Sequence, residues 1–167
     1  MDLIKRIFKK KPRLDGLRQF TCPNFEIVLL PYWIDYFDKT EKDEGRAACF
    51  YNSKFSNGVL QIWTFTWEKE LLERSDSDLE KFLVWDMKRR LEGLKMSYSK
   101  RLVKLSKIEN YFFAETSFKK DGSFWRLWSI TTVKKSAHIS YNCQLKYPDV
   151  SQKEVTKIVK TFRFVEI

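Results

Sequence analysis

Phe118-Lys119-Lys120-Asp121-Gly122-Ser123-Phe124-Trp125 reads as two strands folded back on one another. Asp-Gly supplies the positive φ angles that a two-residue type I′ turn requires. With Asp121 and Gly122 as the loop, Phe118 faces Trp125 across the hairpin. Aromatic cross-strand pairs of this kind stabilise a sheet by roughly 0.2–1 kcal/mol each. The hairpin lies inside a run of four expected strands, at 97–105, 110–119, 123–133 and 136–145, with Glu109 and Asn110 at the turn between the first two. The last of these alternates: Ala137, Ile139, Tyr141, Cys143 and Leu145 share one face, and His138, Ser140, Asn142 and Gln144 share the other. Strand 123–133 is apolar on both faces, with Phe124, Trp128 and Ile130 on one and Trp125, Leu127 and Val133 on the other. Such a strand is either covered on both sides or exposes a patch, and it is the best pointer to a surface in this chain.

A long helix is expected before these strands, at 77–94. Ser77 and Glu80 fit a capping box, and Leu79, Phe82, Leu83, Met87, Leu91 and Leu94 form an apolar stripe. A second helix, at 151–162, begins with Ser151 and Glu154 in the same two roles and carries Val155, Ile158, Val159 and Phe162 on its stripe. Earlier strands are expected at 25–30, 47–51 and 59–67, with a bend at Pro31-Tyr32-Trp33 and a charged loop at 38–45. The segment 164–167 either extends the second helix or makes a final edge strand. The pattern is α+β: an antiparallel sheet of six or seven strands with two main helices packed on it. One domain, 14–167, follows a basic amphipathic leader, 1–13.

Composition narrows the function. At 167 residues the chain is one domain long and needs no staple. Aromatic residues make up 16%, enough either to build a core on rings or to leave some rings as an exposed binding face. Cys22, Cys49 and Cys143 are dispersed and odd in number, which indicates neither a zinc site nor a disulfide framework and suits a reducing, cytoplasmic setting. No apolar run is long enough to span a membrane, and the first residues lack the apolar core of a secretory signal. Of the net charge of +10, residues 1–13 hold half. That leader, with Leu3, Ile4, Ile7 and Phe8 at helical spacing among lysines, suits an anionic membrane surface or an ordinary basic terminus.

No residue is assigned a catalytic role. His138 shares a strand face with Ser140 and Asn142, but residues two apart in a strand stand roughly 6–7 Å apart at the backbone. Ser140 also lacks the glycine-flanked elbow of a strand-borne nucleophile, and a solvent-facing histidine is the plainer expectation. Asp35, Asp38, Glu41, Asp43 and Glu44 lack the spacing of a calcium loop and are partly neutralised by Lys39, Lys42 and Arg46, so no metal site is expected. No glycine-rich phosphate loop is present and no cofactor is expected. Glu115 and Arg126 are placed to pair across strands, a contact that contributes little on a sheet surface.

The order of elements supplies a resemblance. An early strand ends in Pro31-Tyr32-Trp33, a strand like 58–67 and one long helix follow, then a four-strand meander rich in aromatics, and a closing helix runs into Ile158-Val159-Lys160-Thr161-Phe162-Arg163-Phe164. Over residues 20–167 this resembles the PsbP/DcrB-like fold superfamily, α/β/α sandwiches with many uncharacterised bacterial members. The glycine usual beside the early tryptophan is absent here. The resemblance implies a non-enzymatic binding protein, since the fold includes extrinsic photosystem subunits, a small-GTPase-binding regulator, lipoproteins and adaptors for secreted toxins. It brings no shared catalytic residues, and a lumenal photosystem role would need an address segment that this sequence does not show.

The sequence therefore points to a non-enzymatic, adaptor-type domain that binds another protein, with Trp63, Phe124, Trp125, Arg126 and Trp128 as candidate anchors. An alternative is weak nucleic-acid binding through Lys88, Arg89, Arg90, Lys100, Arg101, Lys104 and Lys107. No RNP1-type phrase accompanies that stretch, and Glu80, Asp86, Glu92 and Glu109 interrupt it. A second alternative is peripheral membrane contact through residues 1–11.

Overall fold

A computed structural model describes residues 16–35, 47–54, 58–67, 74–145 and 150–165. The leader at 1–13 and the charged loop at 38–45 lie outside the described residues. In chain order the elements are β1 (Arg18–Thr21), β2 (Phe25–Leu29), β3 (Trp33–Asp35), β4 (Ala47–Asn52), β5 (Gly58–Thr66), α1 (Asp76–Gly93), β6 (Lys104–Ile108), β7 (Tyr111–Lys120), β8 (Ser123–Thr131), β9 (Lys135–Gln144), α2 (Val150–Lys160) and β10 (Arg163–Phe164). β1, β2 and β10 form a three-stranded sheet in the order β1-β2-β10. The other seven strands form an antiparallel sheet in the order β3-β4-β5-β9-β8-β7-β6. The expected α+β class is present, and the antiparallel sheet expected to have six or seven strands has seven.

The residues group into two compact units, one of residues 1–61 with 141–167 and one of residues 62–140. In the first unit, Phe25, Ile27 and Leu29 of β2 are fully buried, as are Val155 and Ile158 of α2 and Phe162 just beyond it. Phe25 stacks on Phe162 at 5.3 Å between ring centres. The Thr161 hydroxyl accepts from the Val28 backbone N–H at 2.9 Å and donates to the Ile158 carbonyl at 2.6 Å, which joins the end of α2 to β2. The stripe expected for the second helix is thus the buried one, although α2 begins at Val150 and ends at Lys160.

In the second unit, Leu79, Leu83, Met87 and Leu91 of α1 pack on Phe112 and Ala114 of β7 and Leu127 of β8. The N-cap of α1 is Ser75, not Ser77. Its hydroxyl accepts from the Asp78 backbone N–H, and the Asp78 carboxylate accepts in return from Ser75. The strand expected at 97–105 is displaced to Lys104–Ile108. Met96, Tyr98 and Val103 instead pack irregularly against the α1 core. β1 and β3 were not separately expected, and of the two readings of 164–167 the structure shows a short strand, Arg163–Phe164, in place of an extended helix.

The hairpin follows its sequence closely. Asp121 and Gly122 have φ of 50° and 74°, the two positive angles of a type I′ turn. Phe118 pairs with Trp125, and their rings lie 6.4 Å apart and nearly parallel. β8 is covered on both faces from Leu127 to Thr131, which answers the question its two apolar faces posed.

Candidate functional site

Two features of the second unit carry polar chemistry, an internal network and an external groove. The network centres on Asp86, one helical step from the apolar stripe of α1 and facing β8 and β9. Its carboxylate meets His138 Nε2 at 2.8 Å and accepts from Ser129 Oγ at 2.5 Å. Arg90, one turn along, donates to Ser129 Oγ at 2.9 Å and to the carbonyls of Trp128 and Ile139 at 2.6 and 3.0 Å. Burial works to raise the Asp86 carboxyl, but the hydrogen bond and charge of His138, the Ser129 hydroxyl and the charge of Arg90 outweigh it and hold it below its ordinary value. Burial lowers Arg90 to about 10, with Asp86 opposing. Its guanidinium is enclosed while its stem stays partly exposed, and it remains charged at neutral pH.

His138 is therefore not the solvent-facing residue expected from strand alternation. It is half-buried, held by Asp86 and edged by the Phe65 ring at 4.8 Å. The combination of serine, histidine and aspartate does not make a nucleophile–base pair. Ser129 and His138 both bond to the same carboxylate, so the imidazole is not placed to take the serine proton, and Ser129 is fully buried. The arrangement fastens a helix to two strands.

The groove runs between the outer side of α1 and the edge of the sheet at β6. It encloses about 440 Å³ and is lined by Ser77, Glu80, Lys81, Val84, Trp85 and Lys88 of α1, with Lys100 and Leu105 opposite. The 3.6-residue period of α1 explains the lining: residues 77, 81, 84 and 88 follow one side of the helix, flanking the buried stripe. Leu105 faces α1 because it pairs with Ala114, which lies in the core beneath the helix. Trp85 is 52% exposed and Leu105 43%. The Arg89 guanidinium lies over the Trp85 ring, 5.2 Å from its centre. Lys107 of β6 pairs with Asp76 at the start of α1.

The residues singled out by sequence fall in different places. Phe124 and Trp128 are buried, which corrects their assignment as exposed anchors. The Trp128 Nε1–H donates to Glu115 Oε2 at 3.1 Å, and Arg126 donates to the same oxygen at 3.0 Å, so the expected Glu115–Arg126 pair also holds the tryptophan. Trp125 is half-buried against Phe118. Trp63 alone of the five is well exposed, on β5 beside the similarly exposed Phe65. Of the basic set, Lys88, Arg89, Lys100, Arg101, Lys104 and Lys107 are on the surface, whereas Arg90 turns into the network. Lys88 and Lys100 meet in the groove. Trp85 was missed: it falls outside the apolar stripe, and a large apolar residue between Val84 and Lys88 on the polar side of an amphipathic helix is the signal that marks it.

Among the described residues no group of three or more His, Cys, Asp or Glu side chains is placed to hold a metal ion. Of the acidic cluster weighed for a cation, Asp35 is described, and it pairs with Arg18 at 2.8 Å. None of the three cysteines is in a disulfide; Cys143 is buried and Cys22 and Cys49 half-buried, with burial pushing the Cys49 thiol up. Among the described residues no helix is long and apolar enough to cross a membrane.

No protein-family model matches the chain, and no curated protein matches it in sequence. Solved structures do. The solution structure of cyanobacterial PsbP (CyanoP) from Synechocystis sp. PCC 6803 aligns with a TM-score of 0.63 over 90% of this chain and 93% of its own, at 10% identity. The fold is PsbP-like. A crystal structure from Bacteroides thetaiotaomicron VPI-5482 aligns with a TM-score of 0.59 over 92% of this chain, at 16% identity. This chain spans half the length of that protein. The resemblance drawn from element order is thus present in three dimensions, and at these identities it concerns the fold alone.

Proposed function

We propose that the chain is a non-enzymatic binding domain whose partner is another protein, held in the groove between α1 and β6. The observation that carries this reading is Trp85, a tryptophan more than half exposed on a helix whose other large apolar residues point inward. Tryptophan and arginine are the residue types that most often anchor protein interfaces, and Arg89 stacks on this ring.

The test is affinity capture from the protein's own cell extract at low and high salt, with nuclease treatment, comparing the native chain with Trp85→Ala and with Trp63→Ala. The reading expects a protein retained at high salt and after nuclease, lost with Trp85→Ala and kept with Trp63→Ala. Retention by Trp85→Ala refutes the groove. Capture that disappears with nuclease or modest salt transfers the function to nucleic acid, whose binding falls steeply with ionic strength.

A further inference from the structure

The groove adjoins an open sheet edge. β6 stands last in the strand order and has, among the described residues, a hydrogen-bonded neighbour on the β7 side alone. The β6–β7 turn holds two residues, Glu109 and Asn110, after the Ile108–Tyr111 pair. Residues of an antiparallel ladder alternate between hydrogen-bonded and non-bonded pairs, so counting from that turn leaves the backbone N–H and C=O of Leu105 and Lys107 directed away from β7. An extended chain pairing there lies along the groove, and every second side chain enters it against Leu105, Val84 and Trp85. The lining carries three lysines to one glutamate, and Lys104 on β6 and Arg101 just before it are also exposed.

We infer, resting on the proposed protein-binding role of this groove, that its ligand is an acidic peptide segment that adds to β6 as an eighth strand, with apolar residues and Asp or Glu sharing the every-second positions that face α1. Main-chain hydrogen bonds to the edge hold such a peptide, and on its groove face apolar side chains pack against Leu105, Val84 and Trp85 while carboxylates two residues away meet Lys88 and Lys100.

The test pans a displayed library of random peptides of about ten residues, the upper length of an ordinary strand, against the full chain. Selected peptides are then measured by calorimetry. Expected are sequences with apolar and acidic residues together on one strand face, two residues apart, that bind Trp85→Ala and Lys100→Glu about tenfold more weakly than the native chain, a loss of about 1.4 kcal/mol. N-methylation of the peptide at alternate positions facing β6 is expected to cost at least as much. Both replaced residues lie at the surface, so two independent variants guard against one failing to fold. Trp85-dependent peptides with no acidic bias, or with full tolerance of N-methylation, overturn the acidic strand and leave the groove standing. No Trp85-dependent peptide at all overturns both, as does a single-stranded oligonucleotide that displaces the selected peptides in a salt-sensitive manner.

Discussion

Asp86 ties three elements of the second unit together. One carboxylate takes the Ser129 hydroxyl and the His138 ring and faces the Arg90 charge, and those partners come from α1, β8 and β9. Removing one member of a buried charged set leaves the others without compensation and typically costs about 3–5 kcal/mol. Asp86→Ala is expected to destabilise by an amount of that order in urea unfolding. The pH dependence has a definite sign. The Asp86 carboxyl is held below its unfolded value, so its contribution is complete above that value, about 3.9 for a free aspartate, and is lost as pH falls through the lower folded value. Unfolding free energies between neutral pH and pH 3 are expected to fall less steeply for Asp86→Asn than for the native chain, and equal slopes would remove Asp86 from the acid response. None of this was legible from sequence. Asp86 and His138 are 52 residues apart, and strand alternation assigned His138 to water because it does not report that α1 covers part of that face.

At the scale of elements, what could be read was what local chemistry settles. Asp121-Gly122 fixed the β7–β8 register because few other residue pairs accept two positive φ angles. Nothing lies within 4 Å of a Cβ added at Gly122, so Gly122→Ala meets strain and no clash. It is expected to cost about 1–2 kcal/mol in thermal or urea unfolding, the penalty of a left-handed backbone with a side chain. The position of the α1 cap was not legible, because Ser75-x-x-Asp78 and Ser77-x-x-Glu80 overlap and either suits a capping box. The structure uses the first, which brings Asp76 and Asp78 to the positive end of the helix. Ser75→Ala is therefore expected to lower the thermal midpoint, and Ser77→Ala to leave it in place. The 97–105 segment misled in another way: Tyr98 and Val103 are partly buried by contact with the α1 core outside any ladder. Short β1 and β3 depend on distant partners, such as the pairing of Trp33 with Asn52, and leave no local signature, while the strand ending at Phe164 was one of two readings that only its pairing with Phe25 decides.

At the scale of the whole molecule, the aromatic richness proved to be mostly interior. Trp33, Phe25, Phe50, Tyr141 and Phe162 are almost wholly buried, as are Trp128 and Phe113. That leaves Trp63, Phe65 and Trp85 as the large rings most exposed among the described residues, and Trp85 alone of these lies among lysines in a concave site. Lys88 and Lys100 of the basic stretch and an exposed ring thus meet at the groove, so the basic stretch and the search for aromatic anchors, kept apart in the sequence, converge in part on one surface. The measurement that tests this most directly is amide chemical-shift mapping of the full chain titrated with its captured partner. The account predicts that the shifts centre on residues 77–89 of α1 and on 100–107, with Trp63 and Phe65 unmoved. Shifts centred on β5 around Trp63, with α1 and β6 unchanged, would contradict it.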